Sequence, residues 1–196
     1  MVQRTLTRAE AEASRLLQRA QAMFADYGEP WPGYRVDVLL LAGLVFELGI
    51  QAVSDLRVDS REYAAFLTAD SKLIVVEANH HEHRRRFSIA HEIGHYVLHY
   101  LPKTTPQLNF HCSSGDMELS STPDTKASTL MHHHLRQEWE ANVFAGELLM
   151  PAGPVLAMFK ATRGSIPRLA AQFHVSPKAM EIRLKGLPVP FAPKYH

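Results

Sequence analysis

Two histidines four residues apart, His91 and His95, bracket Glu92 in the run His91-Glu92-Ile93-Gly94-His95. On a helix, side chains four apart share a face, so both imidazoles can reach one metal ion. Glu92 is turned about 100° from His91 and flanks that face, where a carboxylate can take a proton from water activated by the ion. A catalytic zinc needs a third protein ligand and keeps one position open. Glu138 and Glu140 lie on a later helical segment, two residues apart, so they point in nearly opposite directions and only one can face the ion. Ala141, Ala145 and Leu148 share the face of Glu138, and Asn142 follows one turn on. That face is the inward one. The pattern therefore predicts Glu138 as the third ligand of a zinc ion, with manganese as the alternative metal. Asn142 is expected to hydrogen-bond a ligating histidine. Glu140 is the fallback ligand and is otherwise expected on a solvated surface.

Other candidates are weaker. His99 continues the four-residue series, but a straight helix carries it about 12 Å along the axis from His91, too far for a shared ion. Tyr96-Val97-Leu98 offers no glycine turn to break the helix, so His99 is expected as a polar residue at the helix end. His132-His133-His134 is expected in a solvated loop, from which one ring could approach the open side of the metal and stabilise an oxyanion or block the site. Cys112 is expected to be an ordinary thiol. The run from His80 to Arg86 reads as the solvated beginning of the metal-binding helix.

These residues must be carried by a folded scaffold, and the composition provides for one. The chain has 196 residues, 46% of them hydrophobic and 21% charged, which suits one globular domain or one with a small appendage. No apolar run approaches the roughly 18 residues needed to cross a bilayer, so no membrane partner is expected. The charged, Ala-rich N-terminus shows no secretory signal, and a single cysteine excludes an internal disulfide framework. A reducing cytoplasm is the expected compartment. A net charge of +1 gives no sign of a nucleic-acid binder.

The elements read as α+β: a small mixed or antiparallel sheet against the metal-binding helix and a second ligand helix. Thr7 N-caps a helix to Phe24, and Tyr27 to Gly33 interrupts it. Asp37 to Leu48 reads as a helix buried on most sides. Ile50 to Val53, Tyr63 to Thr68 and Lys72 to Glu77 read as strands, the last two joined by a hairpin turn at Ala69-Asp70-Ser71. A helix follows from Arg86. Residues 102–136 are polar, rich in Ser, Thr, Pro and His, and read as a long insertion. A helix from Leu135 to Leu149 stops at Met150-Pro151. Two short helices, Ser165 to Phe173 and Pro177 to Leu187, end the pattern. The expected organisation is an N-terminal helical segment (1–35), a metal-binding domain (36–160) and a C-terminal helix-turn-helix-like segment (161–196).

Two stretches carry a family resemblance. Arg86-Phe87-Ser88-Ile89-Ala90-His91-Glu92-Ile93-Gly94-His95-Tyr96-Val97-Leu98-His99 is one. The other is the helix from Glu138 through Asn142, Phe144 and Ala145 to Leu148-Leu149-Met150-Pro151. Both resemble the ImmA/IrrE family of zinc metallopeptidases, as does the tail from Leu169 to Leu184. The resemblance implies a gluzincin-like site, in which the acidic ligand is followed four residues later by Asp or Asn, as Glu138 is by Asn142. It implies an endopeptidase acting on a protein, a helix-turn-helix transcriptional repressor whose cleavage relieves repression. The segment from Leu101 to Arg136 is longer than usual for the family, and no residue clearly matches an oxyanion-stabilising partner. The alternative is a non-catalytic regulator that binds a repressor or DNA through its C-terminal helices. There Lys178, Glu181, Arg183 and Lys185 form only a modest base-reading set, which disfavours direct DNA binding.

Overall fold

A computed structural model describes residues 6–26, 34–58, 60–102, 110–113 and 129–189, the side chains of 110–113 and 129–131 excepted. The first helix, α1 (Arg8–Asp26), opens with a reciprocal cap. The Glu10 amide donates to Thr7 Oγ1 at 3.3 Å, and the Thr7 amide donates to Glu10 Oε2 at 2.9 Å. Helix α2 (Val38–Phe46) starts where Asp37 Oδ1 accepts the amides of Leu39 and Leu40 at 3.0 Å. It ends at Glu47, which is left-handed with φ 56°.

Strands β1 (Gly49–Val53), β2 (Arg57–Val58), β3 (Arg61–Thr68) and β4 (Leu73–Glu77) follow. They lie in the order β1-β4-β3-β2, and β5 (Phe110–Ser113) also pairs with β3. Pairing is antiparallel throughout except for β1 with β4, so the sheet is mixed, as expected. Strand β4 is nearly all buried, and it leads into the helix that bears the two histidines.

That helix, α3 (Glu82–His95), begins four residues before the Arg86 start read from the sequence, with His81 Nδ1 accepting the His83 amide. Helix α4 (Thr129–Leu149) packs across it. Then α5 (Ala152–Ala161), α6 (Ile166–Phe173) and α7 (Pro177–Lys185) complete the α+β fold. Ser176 Oγ accepts the Ala179 amide at 3.1 Å to cap α7. One apolar core takes side chains from α1 and from α3 to α7, among them Leu17, Ile93, Phe144, Phe159, Phe173 and Leu184.

Several expectations need correction. Helix α2 is not buried on most sides: Leu39 and Leu44 are 56% and 50% exposed, because only Val38, Leu41 and Ala42 face inward. The polar stretch 102–136 contains β5 and the first two turns of α4. Its residues 103–109 and 114–128 lie outside those described. Helix α5 was absent from the sequence reading, since Pro151 ends α4 and also stands at the N-cap of the next helix. In α7, Arg183 is turned inward. Its guanidinium meets Glu147, lies 3.5 Å from Glu10 and donates from Nε to the Met150 carbonyl at 2.9 Å. It therefore ties α7 to α1 and α4 and offers nothing to a nucleic-acid base. Lys178 and Lys185 both pair with Glu181. Among the described residues, no single helix is long and apolar enough to cross a membrane.

Candidate metal centre

Helix α3 presents His91 and His95 on one face, as the four-residue spacing requires, and their Nε2 atoms lie 2.9 Å apart. Helix α4 brings Glu138 to them from the other side. Its Oε1 is 3.1 Å from His95 Nε2, and its Oε2 is 3.2 Å from His91 Nε2. All three residues are buried, and their donor atoms form the one group of this kind among the described residues. Glu140, two residues on, faces elsewhere and pairs with His99 and Arg136.

The helices come this close because Gly94 has no side chain. A Cβ at that position would meet Phe144 Cδ1 at 3.1 Å and the Cα and carbonyl oxygen of Ala141 at 3.3 Å. Backbone can thus lie on backbone where α3 crosses α4, one residue from His95 and three from Glu138 along their respective chains.

Protons decide what the donor triangle can hold. Asn142 Oδ1 lies 2.9 Å from His91 Nδ1, so in the neutral ring the proton sits on Nδ1 and Nε2 presents a lone pair. Burial, opposed by Glu138, lowers the His95 pKa to about 4, so this ring is neutral at pH 7 as well. Glu138 is also held below the ordinary carboxylate range. Burial works against its charge, and only positive charge or N–H donors on the His91 and His95 side, or a cation in their place, outweighs that cost. Its Oε2 is buried without a well-formed hydrogen bond. Two imidazole lone pairs and a carboxylate that converge within about 3 Å repel one another unless a cation lies between them. Ligands about 2.0–2.1 Å from a tetrahedral ion stand about 3.3–3.4 Å from each other. The triangle seen here needs to open by only a few tenths of an ångström. The residues present therefore fit a divalent metal with two nitrogen ligands and one oxygen ligand.

Glu92 is wholly buried beside this group, and neither carboxylate oxygen has a hydrogen-bond partner. Burial pushes its pKa up to about 8. The nearby His91 opposes that rise and the Glu138 charge adds to it. On the outer side, His134 is exposed on α4, and its Nδ1 is 3.6 Å from Glu138 Oε1. His132, His133 and His134 are thus on a helix, where a loop was expected.

The backbone that carries His99 departs from the straight helix expected of Tyr96-Val97-Leu98. The helix does break after His95: Tyr96–Tyr100 form a π turn, closed by the Leu101 amide donating to the Tyr96 carbonyl at 2.9 Å. His99 is buried and contacts both His95 and Glu140. It stands at the helix end and outside the donor triangle, as expected, but it is buried there. The packing that selects the turn is long-range. Tyr96 meets Phe46 edge-on at 5.6 Å and stacks on Tyr100 at 5.3 Å, and Arg8 of α1 donates to the Leu98 carbonyl at 3.0 Å. Cys112 pairs through its backbone with Ala65 in the sheet, and its side chain lies outside those described.

An α+β scaffold with an inward-facing His-x-x-x-His helix and a carboxylate from a crossing helix makes a buried group that can hold a divalent metal. The sequence profile of the IrrE N-terminal-like domain, peptidase family M78, matches residues 45–185, and the chain belongs to that family. No curated protein matches it. Among solved structures, a Mycobacterium tuberculosis transcriptional regulator is similar in fold. The TM-score is 0.56 and the identity 21%, over 90% of this chain and 48% of the regulator. The chain thus spans about half the length of that protein.

Proposed function

We propose that the chain is a zinc-dependent endopeptidase in which His91, His95 and Glu138 hold the metal and Glu92 is the acid–base group. The observation that carries this reading is the convergence of three proton-poor donors on one point, beside a buried carboxyl with no other partner. A zinc ion bound there supplies Lewis acidity toward water and toward the scissile carbonyl. Glu92 takes a proton at a carboxyl oxygen from the attacking water and passes it to the leaving amine. Its pKa near 8 suits a group that must both accept and give a proton close to neutrality. Asn142 holds the His91 ring by accepting from Nδ1, which keeps the Nε2 lone pair inward. His134, exposed at the outer side of Glu138, is within reach of a substrate carbonyl oxygen and is the candidate oxyanion partner.

The substrate class we propose is a helix-turn-helix transcriptional repressor, cut to relieve repression, a reading that membership of the IrrE-like family supports. Pure binding through α7 is less well supported, because Arg183 is engaged with Glu147 and both lysines with Glu181. The test is a repressor cleavage gel with and without chelator, comparing the native chain with Glu92→Gln. The variant should bind zinc normally while cleavage slows by about 100- to 10,000-fold. Undiminished cutting by the variant, or cutting that survives the chelator, refutes the assignment.

A further inference from the structure

Three polar side chains that the proposed reaction does not use form a continuous path from the donor triangle to solvent. His95 Nδ1 lies 3.1 Å from His99 Nδ1. His99 Nε2 lies 3.0 Å from Glu140 Oε2. Glu140 Oε1 accepts from Arg136 Nε at 3.0 Å, and Arg136 is 75% exposed. His99 is buried and reaches this position from the π turn.

We infer that Glu140 and His99 are positioning residues that set the tautomer of His95, and so aim its Nε2 lone pair at the metal. The inference rests on the reading of His91, His95 and Glu138 as ligands. The proton assignment runs one way along the path. Glu140 accepts from the Arg136 guanidinium at Oε1, as a carboxylate does, and a carboxylate only accepts. His99 must therefore carry its proton on Nε2 and donate it to Glu140. A neutral ring then leaves His99 Nδ1 as an acceptor, which draws a proton onto His95 Nδ1. His95 Nε2 is left bare, pointing at His91 Nε2 and Glu138. The opposite assignment sets a lone pair of His99 against the Glu140 carboxylate at 3.0 Å, where no cation separates them as one would between His95 and Glu138, and it puts a proton on the nitrogen that must bind the ion. Arg136 fixes the far end by holding the other oxygen of Glu140. The two histidine ligands are thus supported differently: His91 by a neutral amide oxygen, His95 by an anion acting through a second imidazole. The second arrangement makes His95 the more electron-rich donor.

The test uses the intact chain with zinc as the probe. Chelator-competition titration gives the zinc dissociation constant of the native protein, Glu140→Gln, Glu140→Leu and Arg136→Gln. Long-range proton–nitrogen NMR on histidine-labelled, zinc-loaded protein reads the tautomer of each ring. Glu140→Leu should weaken zinc binding by about 10- to 100-fold at unchanged stoichiometry. Glu140→Gln retains an acceptor oxygen and should recover part of that loss. The native spectrum should show His95 protonated at Nδ1 and His99 at Nε2, and Glu140→Leu should mix the tautomers of His99. Arg136→Gln changes an exposed position, so it keeps the test available if Glu140→Leu misfolds; a loss of at least twofold is expected. Zinc constants within twofold of native in both Glu140→Gln and Arg136→Gln, or a native His95 protonated at Nε2, overturn the relay. Glu138→Ala separates this from the larger reading. If it loses zinc while the relay variants do not, only the relay fails; if it keeps zinc, the ligand set itself is wrong.

Discussion

Replacing Gly94 by alanine adds one methyl group at the crossing of the two ligand-bearing helices, and its consequences can be worked from the contacts. The new Cβ would meet Phe144 Cδ1 at 3.1 Å and two backbone atoms of Ala141 at 3.3 Å. The phenyl ring can turn, but the Ala141 backbone yields only if α4 moves away from α3 by a few tenths of an ångström. Overpacking of this kind costs about 1–3 kcal/mol. Alanine in place of glycine inside a helix returns about 1 kcal/mol, so the net loss of stability is about 0–2 kcal/mol. The metal site is the more sensitive readout, because a shift of a few tenths of an ångström uses up most of the roughly 0.5 Å within which a ligand must be held. Glu138 moves with Ala141, and zinc should bind about tenfold more weakly or worse. The control is Gly146→Ala on the same helix, where a Cβ would meet nothing within 4 Å. That variant should gain about 0.5–1 kcal/mol and bind zinc as the native chain does. Urea unfolding and chelator-competition titration measure both quantities. If Gly94→Ala is stabilised like Gly146→Ala and binds zinc with native affinity, the close approach at Gly94 is not what positions Glu138.

Two further predictions concern the scaffold. Arg183→Met removes the cation between Glu147 and Glu10, both buried, and should destabilise the fold by about 3–5 kcal/mol in urea unfolding; a loss under 1 kcal/mol would show that the ion triad does not fasten α7. Glu77 accepts the Leu56 amide at 2.6 Å and the Asn79 amide at 2.8 Å, and these bonds hold its pKa below the ordinary value. A depressed folded pKa gives stability that is present above the unfolded value, about 4.3, and is lost as pH falls through the folded value. The stability gap between the native chain and Glu77→Gln should therefore be full at pH 6 and shrink on acidification below about pH 4. A gap that widens on acidification contradicts the assignment.

What the sequence makes legible here is local. Thr7 with Glu10, Asp37 and Ser176 mark helix starts because their side chains bond amides two or three residues away, and the structure keeps each of these caps. The spacing of His91, His95, Glu138 and Asn142 is legible because helical periodicity alone fixes which side chains share a face. The π turn is not, since Tyr96, Val97 and Leu98 carry no breaking residue. Its causes are Phe46, Arg8 and Glu140, which lie tens of residues away in sequence. The same holds for Arg183, which reads as a surface cation until Glu147 and Glu10 are brought to it. Helix α2 misleads for a different reason: when nearly every residue is apolar, no periodicity remains to tell the buried face of Leu41 from the exposed face of Leu39 and Leu44. Residues 110–113 pair with β3 although their surroundings in sequence are polar and irregular, because a strand added to an existing edge needs only backbone.

The central claim is that two imidazoles and one carboxylate grip a single divalent cation with a position left for solvent. X-ray absorption at the zinc edge, on protein reconstituted with one equivalent of zinc, tests it most directly. The expected spectrum has nitrogen and oxygen neighbours at about 2.0–2.1 Å, outer-shell scattering from two imidazoles, no sulfur near 2.3 Å, and loss of this signature in Glu138→Ala. A third imidazole, a sulfur neighbour, or an unchanged spectrum in that variant would contradict it.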